Sequence, residues 1–261
     1  MRHHEETIDA FAHATAADPD ALALVVVGSV ARGTERPDSD VDVYLVVSEP
    51  AFLRARDGER LGYTVTEPAT YAGGYVDVKV VSPAYLVRAS ADADEPTHAS
   101  FVAARVVWSR IPQLPALLTR ISAPGPQFFR SRVASFIAQM RLHGGYFLVQ
   151  GEEHHDQYLV AWASLHMIAA ADRALLSHHR VLFRGHKYLR AMVTALPSLP
   201  PDHERLVAQQ LGMPTAERGH EIMRGVEDFG AWDLPRERTL SRYIEETELA
   251  WLFGTIPPEY A

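Results

Sequence analysis

The chain has no cysteine among its 261 residues. Disulfides, thiolate nucleophiles and cysteine-ligated zinc are therefore excluded, and a reducing compartment fits this usage. Positive charge is also short: 25 lysines and arginines stand against 33 aspartates and glutamates, a formal net charge of -8 at neutral pH. No basic stripe is interleaved with aromatics, so duplex or long single-stranded nucleic acid is not expected as the main ligand, and tRNA tailing is disfavoured with it. Neither an apolar stretch of membrane length nor a signal peptide is expected. The start, Met1-Arg2-His3-His4-Glu5-Glu6, is charged with no apolar block behind it, so the expectation is no membrane partner and a cytoplasmic location. Internal repeats and low-complexity tracts are missing too.

What the chain has in quantity is apolar residues, 47% of the total, enough to bury a substantial core in one large or two small domains. Two proline clusters, Ile111-Pro112-Gln113-Leu114-Pro115 and Ser122-Ala123-Pro124-Gly125-Pro126, flank one short helix, and after them the β-branched strand signals stop. A joint is expected there, between 1–124 and 125–261. The second part reads as helices. Phe128, Val133, Phe136, Ile137, Met140 and Phe147 recur near helical spacing from Gln127 to Gln150, and Tyr158 to Ser177 is rich in alanine and leucine. Further helices are predicted at Lys187 to Ala195, Asp202 to Leu211, Ala216 to Phe229 and Leu240 to Leu252, separated by prolines.

Chemistry concentrates between Gly28 and Asp42. Leu22 to Val27 reads as a buried strand and Val41 to Val47 as a second one, so the Gly28-Ser29 turn sits at a strand end. A short helical segment from Val30 to Gly33 would leave backbone N–H groups able to meet phosphate oxygens, and Ser29 adds a hydroxyl. Strand side chains alternate, so Asp40 and Asp42 project from one face while Val41 and Val43 enter the core. Carboxylates side by side repel unless a cation lies between them, and Mg²⁺, a hard ion that keeps substrate phosphates in its shell, is the ion expected. Tyr75 to Val81 offers a third acid, Asp77, on a strand whose Val76, Val78 and Val80 face the other way. If that strand runs beside the one carrying Asp42, three carboxylates meet. Two metals held there could align an attacking hydroxyl and stabilise a leaving pyrophosphate. A lone Gly-Ser is a common turn and Asp77 could be a surface group paired with Lys79; it is the combination between strands that points to a site.

Gly-Ser, ten intervening residues, then Asp40-Val41-Asp42 between strands resembles the DNA polymerase β-type nucleotidyltransferase superfamily. The resemblance covers about the first hundred residues. It implies an α+β fold: an N-terminal nucleotidyltransferase domain with a small mixed sheet and flanking helices, followed by a C-terminal α-helical bundle. It also implies Mg²⁺ on Asp40 and Asp42, with Asp77 completing the site or acting as base. Gly28, Ser29 and Ser39 are expected to contact the nucleotide, with ATP as co-substrate.

The segment Arg173 to Arg180, which ends Leu176-Ser177-His178-His179-Arg180, is similar to the helical half of kanamycin nucleotidyltransferase-like antibiotic adenylyltransferases. That likeness implies a helical half that closes over ATP and contributes an acceptor pocket, and dimers that share sites, which long apolar helices here permit. A triphosphate needs a basic partner. Lys187 is the candidate, with Arg180 and Arg184 as alternatives. The kanamycin-type enzymes carry a glutamate base on the first helix of this half, and Gln127 to Gln150 contains no acid. His143, Glu152 and Glu153 are the substitutes to consider beside Asp77. Glu152-Glu153-His154-His155-Asp156 reads as a helix-to-helix loop, either solvated or part of a substrate rim, with no zinc expected.

The expected function is transfer of a nucleoside monophosphate, AMP from ATP, to a hydroxyl of a small molecule such as an aminoglycoside-type antibiotic, with release of pyrophosphate. Asp92, Asp94 and Glu95 offer an acidic rim that would steer a cationic acceptor. Two alternatives stand beside it: a protein-directed adenylyltransferase of the antitoxin kind, and a non-catalytic nucleotide sensor. Arg173-x4-His178 resembles the Arg-x4-6-His motif of HEPN ribonucleases, which pair with such antitoxins, although a helix-surface pair is the plainer reading.

Overall fold

The computed structural model describes residues 1–260, which form two compact units, 1–124 and 125–260. In the first, the runs rich in valine fold into a mixed five-stranded sheet: β1 (Ala21–Val26), β2 (Val41–Val47), β3 (Gly62–Val65), β4 (Val76–Val81) and β5 (Arg105–Ser109), in the order β3-β4-β2-β1-β5. The β2–β4 pair is parallel and the others antiparallel. Alternation along each strand then feeds two cores. Val41, Val43, Leu45, Val76, Val78 and Val80 meet Ile8 and Phe11 of α1 (Arg2–Ala16) on one side. Tyr44, Val46 and Val81 meet α4 (Pro83–Asp92) and α6 (Leu114–Ser122) on the other, through Leu86, Leu114, Leu118 and Ile121. Between them in sequence lie α2 (Gly28–Arg32), α3 (Glu49–Asp57) and α5 (Glu95–Ser100). Three of these helices start where a serine or aspartate side chain accepts a first-turn N–H: Ser48 from Ala51, Ser82 from Tyr85, Asp94 from Thr97, each with a proline in the first turn.

The second unit is helical: α7 (Pro126–Leu142), a π-helical turn His143–Phe147, α8 (Leu148–Glu153), α9 (Gln157–His178), α10 (Leu189–Thr194), α11 (His203–Gly212), α12 (Ala216–Phe229), α13 (Thr239–Glu246) and α14 (Ala250–Phe253). Its core gathers Phe136, Ile137 and Met140 of α7 with Met167, Ala171 and Leu175 of α9, and Ile222 and Val226 of α12. Helix α9 corrects one expectation. It is long and apolar enough by length and composition to cross a membrane, a property its alanines dilute on a first reading. Most of that stretch is buried inside the unit, where it serves as the central core helix.

Other expectations also shift. The single helix expected from Gln127 to Gln150 is interrupted by the π turn, and the one expected from Leu240 to Leu252 breaks after Glu246, where the Thr247 hydroxyl bonds back to the Tyr243 carbonyl. Arg173 is not on a helix surface. The residue is 2% exposed, and its guanidinium lies 4.2 Å from the ring centroids of both Phe136 and Phe183 and donates to the Pro258 carbonyl. His178 packs separately against Phe229 and Trp232.

Next to Arg173 on α9, Asp172 is fully buried and accepts from His203 Nε2 (2.8 Å) and Arg190 Nη1. Losing one partner of a buried charge group leaves the rest uncompensated, at a cost of about 3–5 kcal/mol. Asp172→Ala is therefore expected to destabilise the second unit by about that amount in urea unfolding. A change below about 1 kcal/mol would mean the network carries no net stability.

Candidate active site

The parallel β2–β4 pairing sets Asp42 directly beside Asp77 and Tyr44 beside Lys79. Both aspartates stand on the face opposite the Val41, Val43, Val76 and Val78 core, as the alternation requires. Asp40, just before β2, joins them: one oxygen from each of Asp40, Asp42 and Asp77 lies within 4.8 Å of the others. Gly28 closes the floor of this cluster. It follows β1, opens α2 with φ +68°, and a Cβ built on it would fall 1.8 Å from Asp42 Oδ2. Only glycine fits so close an approach in that backbone conformation. The Val27 N–H donates to the Asp42 carbonyl (2.9 Å), fixing the turn to β2. Ser29 follows within α2, and Ser39 accepts twice, its carbonyl from the Tyr71 hydroxyl (2.6 Å) and its hydroxyl oxygen from the Arg36 N–H.

Electrostatics agree with a cation site. Burial pushes the Asp42 carboxyl above its ordinary value, and the charges of Asp40 and Asp77 push it further, while Lys79 and Arg32 oppose them weakly. Three carboxylates so placed hold a positive ion better than they hold one another. The donor set is all oxygen, as hard divalent cations require.

Several residues that shape this place have no signal in the motif. The rings of His3 and His4 of α1 and of Tyr71 pack together in tilted and edge-on contacts, with centroids 4.2 to 5.0 Å apart. His3 bonds the Pro37 carbonyl and His4 the Ser39 carbonyl, so α1 pins the loop that presents Asp40. Tyr75 hydrogen-bonds Asp40, which raises the phenol's pKa. Arg32 could have been found as the residue one helical turn after Gly28, and Lys79 as the same-face neighbour of Asp77.

The remaining candidates are placed as follows. Lys187 is in the second unit, exposed on the 3-10 turn His186–Tyr188 with its ammonium over the Tyr188 ring. His143 is 2% exposed, and burial together with His166 lowers its pKa to about 3, so it is a poor base near neutral pH. Glu152 lies at the end of α8 rather than in a loop and accepts from the Ala216 N–H, holding the start of α12. Glu153 accepts from Gln150 at the surface. Nor do Asp94 and Glu95 form an open rim: Asp94 caps α5 and Glu95 is buried.

A match to a known protein family falls on the same segment. Residues 16–94, from the end of α1 through α4, match the nucleotidyltransferase domain family. Gly28, Ser29, Asp40, Asp42 and Asp77 all lie within the matched segment. No curated protein matches the chain. Among solved structures, a nucleotidyltransferase-like protein from Exiguobacterium sibiricum 255-15 is similar at 14% identity and a TM-score of 0.47, covering 96% of this chain and 78% of that one.

Proposed function

We propose that the protein transfers a nucleoside monophosphate, AMP from ATP, to a hydroxyl of a small molecule in a Mg²⁺-dependent reaction. The observation that carries this reading is the meeting of Asp40, Asp42 and Asp77 against Gly28. Asp40 and Asp42 would hold two Mg²⁺ ions, with Asp77 a third ligand. Bound there, Mg²⁺ supplies charge neutralisation for the triphosphate and for the departing pyrophosphate. Gly28, Ser29 and Ser39 line the approach of the phosphates, where the missing Gly28 side chain gives them backbone rather than bulk. Asp77 is the group to take the proton as the acceptor oxygen bonds to the α-phosphorus and the bond from that phosphorus to the pyrophosphate oxygen breaks.

The acceptor proposed is a hydroxylated small molecule of the aminoglycoside kind. Incubation with ATP, Mg²⁺ and a panel of aminoglycosides, lincosamides and other polyols, read by mass spectrometry, tests it. A gain of one AMP residue on an acceptor supports the reading and names the class. A gain on protein alone would replace the small molecule with a protein target.

A further inference from the structure

The π turn His143–Phe147 is the one break in the long helical run that joins α7 to α8. Such turns are uncommon and occur often at functional sites. Here the chain makes room for it with two consecutive glycines. A Cβ on Gly144 would lie 2.2 Å from Met223 Sδ and 2.7 Å from Met167 Sδ, so the turn is pressed into the core and His143 with it. The His143 ring meets Trp162 at 4.9 Å, His166 at 5.0 Å and Phe147 at 5.6 Å. A third group arrives from the end of the chain. One ring nitrogen of His143, one of His166 and a carboxylate oxygen of Glu259 lie within 4.8 Å of one another.

We propose that His143, His166 and Glu259 form a binding site for a divalent transition metal of the zinc class, which ties the C-terminal segment to the α7–α9 core. The donor set decides the class of ion. Two imidazoles and one carboxylate suit Zn²⁺ and its first-row neighbours, whereas the all-oxygen Asp40, Asp42 and Asp77 cluster suits Mg²⁺. An ion at the centre of atoms so spaced would stand about 2.8 Å or less from each, so a modest closure reaches the ~2.0–2.2 Å of zinc–nitrogen and zinc–oxygen bonds.

A separate observation points to a ligand. His143 Nε2 is bonded to Gln139 Oε1 at 3.1 Å, and its Nδ1 is buried with no hydrogen-bond partner. With Nε2–H donating to the amide oxygen, the lone pair is left on Nδ1. Metal-binding histidines are held in this way, one nitrogen donating to a neighbour and the other facing the ion. The protonation states agree. Burial holds the His143 and His166 imidazoles in their neutral, lone-pair form, and raises the Glu259 carboxyl, a burial cost that a nearby cation would offset. Arg173 already anchors the same tail through the Pro258 carbonyl at 2.7 Å, so Glu259 is delivered by a positioned segment.

Cobalt reads such a site directly. A four- or five-coordinate Co²⁺ with nitrogen ligands absorbs strongly in the visible, and an octahedral all-oxygen site absorbs weakly. The full chain, stripped by chelator and titrated with Co²⁺ in excess Mg²⁺, is expected to develop an intense band that saturates at one equivalent. It should be lost in His166→Ala and in Glu259→Gln, and kept in Asp42→Asn. Circular dichroism checks the fold of each variant, and Glu259→Gln decides alone if His166→Ala does not fold. No intense band, a band that survives Glu259→Gln, or one abolished by Asp42→Asn would overturn the proposal.

Discussion

Gly28→Ala is expected to lower kcat/KM for nucleotidyl transfer by at least about a hundredfold. The methyl group cannot be accommodated by a small side-chain adjustment. It would stand 1.8 Å from Asp42 Oδ2, 2.6 Å from Asp42 Cγ and 2.9 Å from Asp42 Cβ. The carboxylate must swing away from Asp40 and Asp77 or the turn must move off β2, and either displaces the metals and phosphates by about an ångström, a misplacement worth about two orders of magnitude. The left-handed backbone at φ +68° adds about 1–2 kcal/mol of strain. Gly33→Ala is the control. Gly33 has the same φ of +68° but nothing within 4 Å of its would-be Cβ. It should lose about 1 kcal/mol of stability and keep activity within a few-fold. Equal loss of activity in both variants would mean that backbone strain, not contact with Asp42, is what glycine relieves at position 28.

Asp42→Asn is expected to do two opposed things. Activity should fall by at least about a thousandfold, because an amide does not replace a carboxylate on the metals. The metal-free protein, however, should become more thermostable. In the fold the Asp42 carboxyl has a raised pKa, chiefly through burial and then through Asp40 and Asp77. Its contribution to stability is therefore present below the ordinary carboxylate range and is lost as pH rises through the raised value. At neutral pH the charge is a liability, and the amide removes it. A metal-free wild type should lose stability as pH climbs from the ordinary carboxylate range toward neutrality, and the variant should lose less. Added Mg²⁺ should reverse the order: a ligand at 100 times its Kd stabilises the folded wild type by about 2.7 kcal/mol, and the variant by much less. Thermal unfolding with and without Mg²⁺ at two pH values checks all of this. A wild type whose Tm is indifferent to Mg²⁺ would contradict it.

Much of the first unit was legible because its strands are simple. Val41 to Val47 is read correctly to the residue, and the expected Tyr75–Val81 strand begins one residue later, at Val76. Alternation with period two then fixes which face carries the acids. The parallel pairing that joins Asp42 to Asp77 is a tertiary choice. Sequence offered it only as a condition. Strands β3 and β5 escaped because Gly62–Val65 is only four residues long and Arg105–Ser109 is half exposed at a sheet edge. Helix α1 escaped because its charged start hides Ile8 and Phe11, the two side chains that seat it on the sheet. In the helical unit, periodicity found the elements but not their breaks. The π turn leaves the apolar pattern unchanged and shows only as Gly144-Gly145, and Arg173 looks like a surface cation until Phe136 and Phe183 close around it. His143 stands out in the sequence only by its place in the helix order, and its neighbours His166 and Glu259 are brought to it by folding.

The most direct measurement is pyrophosphate release from ATP and the other nucleoside triphosphates, with Mg²⁺ and a hydroxylated acceptor present, using the Asp40→Ala/Asp42→Ala double variant as blank. The expected result is acceptor-dependent, Mg²⁺-dependent release, strongest with ATP and absent from the blank. Release that persists in the double variant, or none from any nucleotide despite ATP binding, would contradict it.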